Sequence, residues 1–132
     1  MDVFVIENAP GRYAAAMQPF ADAGFQVVSM RNGEEAEAAM AKRRDGNTPQ
    51  PALVVIEASS GMEPQTLREQ GMRFLRLSAF TYLSVITSMT GEGFHDAMEG
   101  LGMLPPLPAS PTEDDGRKLL QALLNFVGRP SA

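Results

Sequence analysis

Polar residues able to do chemistry recur in this chain directly behind short apolar runs. Residues 3–6 lead into Glu7 and Asn8, residues 52–56 into Glu57, residues 82–86 into Thr87 and Ser88, and Met103-Leu104 into Pro105 and Pro106. The set supplies two carboxylates, a carboxamide and two hydroxyls. No lysine or arginine occurs between Arg76 and Arg117. Other chemistries are poorly provided for. His95 is the single histidine and cysteine is absent, so no transition-metal cluster, no thiol chemistry and no Ser-His-acid set is evident. His95 is expected at the surface. The PxxP in Pro105-Pro106-Leu107-Pro108 is expected as a rigid rim loop rather than a polyproline ligand.

The elements that must position these residues follow from periodicity. Val3-Phe4-Val5-Ile6 is an unbroken apolar run, the pattern of a strand buried on both faces. Tyr13, Met17, Phe20 and Ala21 form one helical stripe, with Gly24 as its stop. Residues 25–30 read as a second strand. Asn32 is a plausible N-cap for a helix through Ala36, Ala39 and Met40, with Glu34 and Glu35 in its first turn. A breaker-rich loop at 45–51 precedes a third strand at 52–56. A helix is expected within 63–77, interrupted at Gly71. A fourth strand is expected at 82–86, and a short helix over 93–101 carrying Phe94, Ala97 and Met98 inward. A fifth strand around Met103-Leu104 is brief, because the prolines after it cannot donate to a ladder. Thr112 with Asp115 forms a capping box for a last helix that buries Leu119, Leu120, Leu123 and Val127 and stops at Gly128. Five strands alternating with five helices predict a parallel sheet covered on both sides, in which function collects at the carboxyl ends of the strands.

Composition narrows the classes further. The 132 residues are 44% hydrophobic and 20% charged, ordinary for one globular domain spanning 1–132. A formal charge of −5 leaves no basic surplus for nucleic acid or an anionic membrane. The Lys42-Arg43-Arg44 cluster fits a solvated helix end. No basic n-region or long apolar stretch is present, so neither a signal peptide nor a membrane span is expected, and a cytoplasmic location fits the lack of cysteine.

The segments VFVIEN, ALVVIEASSG, SVITS and MLPPLP, together with RNGEEAEAAM at the second helix, carry a resemblance to the receiver domains of response regulators that spans nearly the whole chain. That family ends strand 1 with two acidic residues, strand 3 with an acceptor aspartate, strand 4 with Thr or Ser, and strand 5 with Lys-Pro. The resemblance implies a flavodoxin-like (βα)5 fold, a doubly wound five-stranded parallel sheet in a three-layer sandwich. It also implies a phosphoacceptor pocket at Glu7, Asn8, Glu57, Thr87 and Pro106 (or Pro105 in the neighbouring register). There the chain departs from the family. Asn8 replaces an acid, Glu57 is one methylene longer than aspartate, and Pro106 stands where the phosphate-binding lysine belongs. Phosphotransfer needs carboxylates around Mg²⁺ and tight alignment, and a misplacement of about 1 Å can cost on the order of a hundredfold. At most a weak Mg²⁺ site at Glu7, Asn8 and Glu57 is expected, with no other cofactor.

The resemblance therefore implies a stand-alone, degenerate receiver of the bacterial two-component type. It is not expected to be an enzyme, and it would act through a protein partner such as a histidine kinase, another signalling protein or a second copy. The implied partner face is helix 4, strand 5 and helix 5, with Phe94, Met98 and Leu101 contributing if the helix turns them outward. Glu57 would either mimic a phosphorylated aspartate, drawing in the Thr87 hydroxyl, or stand as a solvated acid. Pro105-Pro106 is a candidate cis bond, as the family's Lys-Pro bond typically is. The alternatives are a phosphotransfer-competent atypical receiver and, with only Gly11 in its first strand-to-helix turn, a flavodoxin-like small-molecule binder.

Overall fold

A computed structural model describes residues 1–58, 62–89 and 92–130. Four parallel strands, β1 (Asp2–Ile6), β2 (Gln26–Met30), β3 (Leu53–Glu57) and β4 (Tyr82–Ile86), lie in the order β2-β1-β3-β4. The chain starts at β1, winds outward to β2, then returns past β1 to β3. The switch point in strand order thus falls between β1 and β3, whose carboxyl ends carry Glu7-Asn8 and Glu57.

Five helices cover the sheet: α1 (Ala14–Asp22), α2 (Gly33–Asp45), α3 (Pro64–Leu77), α4 (Glu92–Met98) and α5 (Glu113–Leu124). Successive strand residues point to opposite faces, so each strand feeds two cores. Val3, Val5, Leu53 and Val55 pack with Met17 and Phe20 of α1 and with Leu119 and Leu123 of α5. Phe4, Ile6, Val54 and Ile56 pack with Met40 of α2, Leu67 and Phe74 of α3, and Phe94 of α4. The unbroken apolar runs follow from this double burial. Asn32 caps α2 by accepting the Glu35 N–H at 2.8 Å, and Thr112 and Asp115 form the capping box that opens α5.

Several expectations are corrected. Among the described residues the sheet has four strands. The segment beside β4 makes only two isolated parallel bridges, Leu83 with Met103 and Ile86 with Leu107. Leu104 and Leu107 each donate an N–H to β4 at 2.8 Å, but Pro105 and Pro106 between them have none to give. The buried Ser84 hydroxyl instead donates to the Pro105 carbonyl at 3.0 Å. No cis peptide occurs among the described residues, so Pro105-Pro106 is trans. Gly71 does not interrupt α3: a Cβ there would lie 3.2 Å from both Leu83 and Leu101, so the glycine lets the helix sit close to β4. The last helix ends at Leu124, short of Val127 and Gly128, where Phe126 turns back to stack on Tyr82 at 5.1 Å. In the basic cluster only Lys42 and Arg44 are solvated. Arg43 lies over the Phe4 ring and pairs with Asp2 at 2.6 Å.

The tightest helix contact is between α1 and α5. A Cβ on Gly116 would fall 1.8 Å from the Ala16 carbonyl oxygen and 2.7 Å from its carbon, so one backbone rests on the other. A backbone cannot swing aside as a side-chain tip can. Gly116→Ala is expected to destabilise the fold by about 3 kcal/mol or more, read as a lower urea midpoint with α5 displaced.

Candidate functional site

The loop between β1 and α1 wraps around two carboxylates. Glu7 follows β1 directly and is 3% exposed. Its backbone N–H donates to Met30 at 2.9 Å, while its side chain accepts the Gly11 N–H and the Tyr13 N–H, each at 3.3 Å. Gly11 has φ +81°, a conformation that L side chains rarely adopt, and this turn lets the loop fold back over Glu7. Glu7 therefore satisfies one loop donor and the N-cap N–H of α1. Both of its oxygens face donors.

Glu57 is the last residue of β3, and its side chain is 8% exposed. Oε1 accepts the Asn8 N–H at 3.0 Å. Oε2 accepts the Tyr13 hydroxyl and lies 3.2 Å from Arg12 Nη1. The longer glutamate stem carries the carboxylate across the switch point into the β1–α1 loop, which supplies all three donors. A buried carboxylate is costly unless paired and hydrogen-bonded, and here it is both. Arg12 itself stays half-exposed, so the pair is anchored on the Glu57 side and open to water on the other.

Tyr13 sits at the N-cap position of α1 and is 5% exposed. Its phenol is pushed up from 10.0 to about 12, chiefly by burial, then by the hydrogen bond to Glu57 and by the nearby carboxylate charges; Arg12 pulls weakly the other way.

These groups line a cavity of about 410 Å³ above the switch point, with Asn8, Arg12, Tyr13, Glu57, Thr87 and Ala109 on its walls. Asn8, Glu57 and Thr87 are thus brought together as the sequence places them. Glu7 lies behind them, tied to the loop backbone. Pro106 does not join them: it is exposed and borders a separate crevice with Lys118 and Leu119. The bridge between Ile86 and Leu107 sets the register, so Ala109, two residues further on, is the edge-segment residue that reaches the cavity. The pocket's cation comes from the opposite side, as Arg12. Neither Arg12 nor Tyr13 is evident as a site residue from the sequence, since both look like the start of an ordinary helix stripe.

Thr87 does not turn toward Glu57. Its hydroxyl oxygen accepts the Met89 N–H at 2.9 Å, and its own N–H donates to Leu107 at 2.9 Å. The phosphate-like role for Glu57 through Thr87 is corrected accordingly: Tyr13 makes the contact. The residues also do not fit Mg²⁺. The Glu7 and Glu57 oxygens are engaged by donors, Asn8 brings a neutral carboxamide without charge, and no group of three or more acidic or imidazole side chains is placed to hold a metal among the described residues.

Phe94, Met98 and Leu101 are not turned outward, so they do not contribute to the implied partner face. Phe94, Met98 and Leu101 are 6%, 7% and 4% exposed and pack in the core beneath α3 and α4. Arg68 fixes that arrangement by donating to the carbonyls of Ala97 at 2.8 Å and Glu99 at 2.7 Å, which caps the end of α4. The large exposed aromatics are Phe80 and Phe126 instead. His95 is exposed beside Phe94, as expected.

The fold is shared with solved receiver structures. A response regulator from Thermotoga maritima aligns at TM-score 0.74 and 14% identity, over 94% of this chain and 97% of that one. A two-component response regulator from Legionella pneumophila aligns at 0.69 and 15%, over 96% and 99%. A CheY-like protein (tadZ) from Pseudomonas aeruginosa aligns at 0.68 and 13%, over 100% and 98%. No protein-family profile and no curated protein sequence matches the chain. At these identities the likeness establishes the CheY-like, flavodoxin-like architecture. Among the described residues no helix is long and apolar enough to cross a membrane.

The raised Tyr13 phenol gives a pH prediction. A proton held more tightly in the folded state stabilises the fold fully below pH 10, and this contribution is lost as pH rises toward about 12. Ultraviolet titration should show a phenolate step near pH 12 that disappears in Tyr13→Phe. The wild type should lose stability over the variant between pH 10 and 12.

Proposed function

We propose that this chain is a receiver-fold signalling module of the two-component type that acts by binding a protein partner, without a phosphorylation cycle of its own. The observation that carries this reading is the engagement of Glu57 by the Asn8 N–H, the Tyr13 hydroxyl and Arg12. An acceptor carboxylate must present a free oxygen in line with the incoming phosphoryl group, beside a metal that spreads its charge. Here both oxygens accept donors, and the carboxylates of the pocket are committed to the protein's own loop. The wall formed by the edge segment contributes Ala109, which has neither charge nor donor.

The same network argues against a solvated, idle acid at Glu57. A side chain 8% exposed and held by a phenol, a guanidinium and a backbone amide is built into the fold. The pocket holds Glu57 with its single charge countered from within by Arg12. A partner would then read a fixed surface rather than a transient one.

Treatment with acetyl phosphate and Mg²⁺ should leave the intact mass unchanged. Beryllofluoride with Mg²⁺ should leave amide resonances near residues 7–13, 57 and 87 in place. A phosphoryl increment mapped to Glu57, or saturable beryllofluoride-dependent shifts there, would overturn the proposal in favour of a phosphotransfer-competent receiver.

A further inference from the structure

We propose that the state of Glu57 is communicated to the α1–α5 face of the domain through Tyr13, and not to α4. This rests on the closed-pocket reading above and adds where that pocket is felt.

Tyr13 is the residue by which α1 is attached to the switch point. Its hydroxyl donates to Glu57, its N–H donates to Glu7 at 3.3 Å, and its carbonyl accepts the Met17 N–H in the first turn of the helix at 3.0 Å. A change at Glu57 therefore acts directly on the N-cap residue of α1, through the Tyr13 side chain alone. Three residues later, Ala16 lies against α5 through the missing side chain of Gly116. Neither backbone can shift along that contact without the other, because close-packed interiors deform in steps rather than continuously. Tyr13 also packs in the same core as Leu119, Leu120 and Leu123 of α5. Ala109, on the far wall of the cavity, lies three residues ahead of the Thr112 cap that opens α5.

Among the described residues, no side-chain hydrogen bond links Glu57 or Tyr13 to α2, α3 or α4. The core that holds α2, α3 and α4 is separated from Tyr13 by the sheet itself. Thr87, the side chain on that side able to approach Glu57, accepts the Met89 N–H. The end of α4 is pinned to α3 by Arg68, and Phe94 and Met98 are buried.

Hydrogen–deuterium exchange on the full chain tests this, comparing wild type with Tyr13→Phe and Glu57→Gln. Loss of the hydrogen bond in Tyr13→Phe should speed exchange roughly ten- to a hundredfold in residues 14–22 and 113–124, while residues 33–45 and 92–98 stay within about twofold. Glu57→Gln keeps an acceptor for Tyr13 but loses the charge facing Arg12. It should give the same regional pattern at smaller amplitude, and it serves as the test if Tyr13→Phe does not fold. No change, acceleration confined to α1, or uniform acceleration over all five helices would overturn the proposal. Failure of the closed-pocket reading shows separately, as a phosphoryl adduct or a beryllofluoride response, and is independent of exchange in untreated protein.

Discussion

The structure turns on one buried carboxylate that has to be satisfied. Glu57 ends the central strand β3 at the switch point with its side chain 8% exposed, and an unpaired charge in such a place is costly. The donors that satisfy it come from a single stretch, Asn8 to Tyr13, so the path of the β1–α1 loop and the carboxylate's position determine each other. Gly11 with its positive φ makes the turn, Glu7 takes the backbone donors, and Tyr13 then starts α1 with its phenol directed at Glu57. If Glu57 were removed, three donors would lose their acceptor together. A buried network of this kind is strong when complete and weak when one member is missing.

From that point the two faces of the sheet have separate histories. Strand alternation sends Val3, Val5, Leu53 and Val55 toward α1 and α5, and their immediate neighbours toward α2, α3 and α4. On the first face the helices touch backbone to backbone at Gly116. On the second, a long side chain, Arg68, bridges α3 to the carbonyls at the end of α4. The first contact has no adjustable part, whereas the second has a flexible stem.

Much of the fold was legible because its signals are local. Residues 3–6 and 52–56 read as strands from unbroken apolar runs and 82–86 from a run broken only by Ser84, and Asn32 and Thr112 mark helix starts by their capping chemistry. The position of Glu57 at the switch point follows from element order alone. What was not legible depends on register and direction. Two bridges around Pro105 and Pro106 place Ala109, rather than Pro106, at the cavity, and a count along the sequence cannot reveal that offset. Phe94, Met98 and Leu101 are consistent with either side of a short helix until the close approach of α3 at Gly71 fixes them inside. Tyr13 fits an amphipathic stripe equally well as a core residue or as a hydrogen-bond donor. It is both, because its ring is buried while its hydroxyl meets the Glu57 carboxylate.

The side from which the pocket's cation arrives matters more than the loss of a cation from the usual side. A lysine at the end of a fifth strand, as the receiver resemblance implies, would tie the charge at the pocket to the sheet edge and the helices beside it. Here the edge segment is interrupted by prolines and bears no cation between Arg76 and Arg117. The compensating charge, Arg12, is covalently next to Tyr13 and one turn from the α1–α5 contact. Electrostatic pairing and mechanical attachment thus run through adjacent residues of one loop. Moving the cation from the sheet edge to the β1–α1 loop changes which helices can sense the acid at the switch point, while the strand order and the position of that acid stay the same.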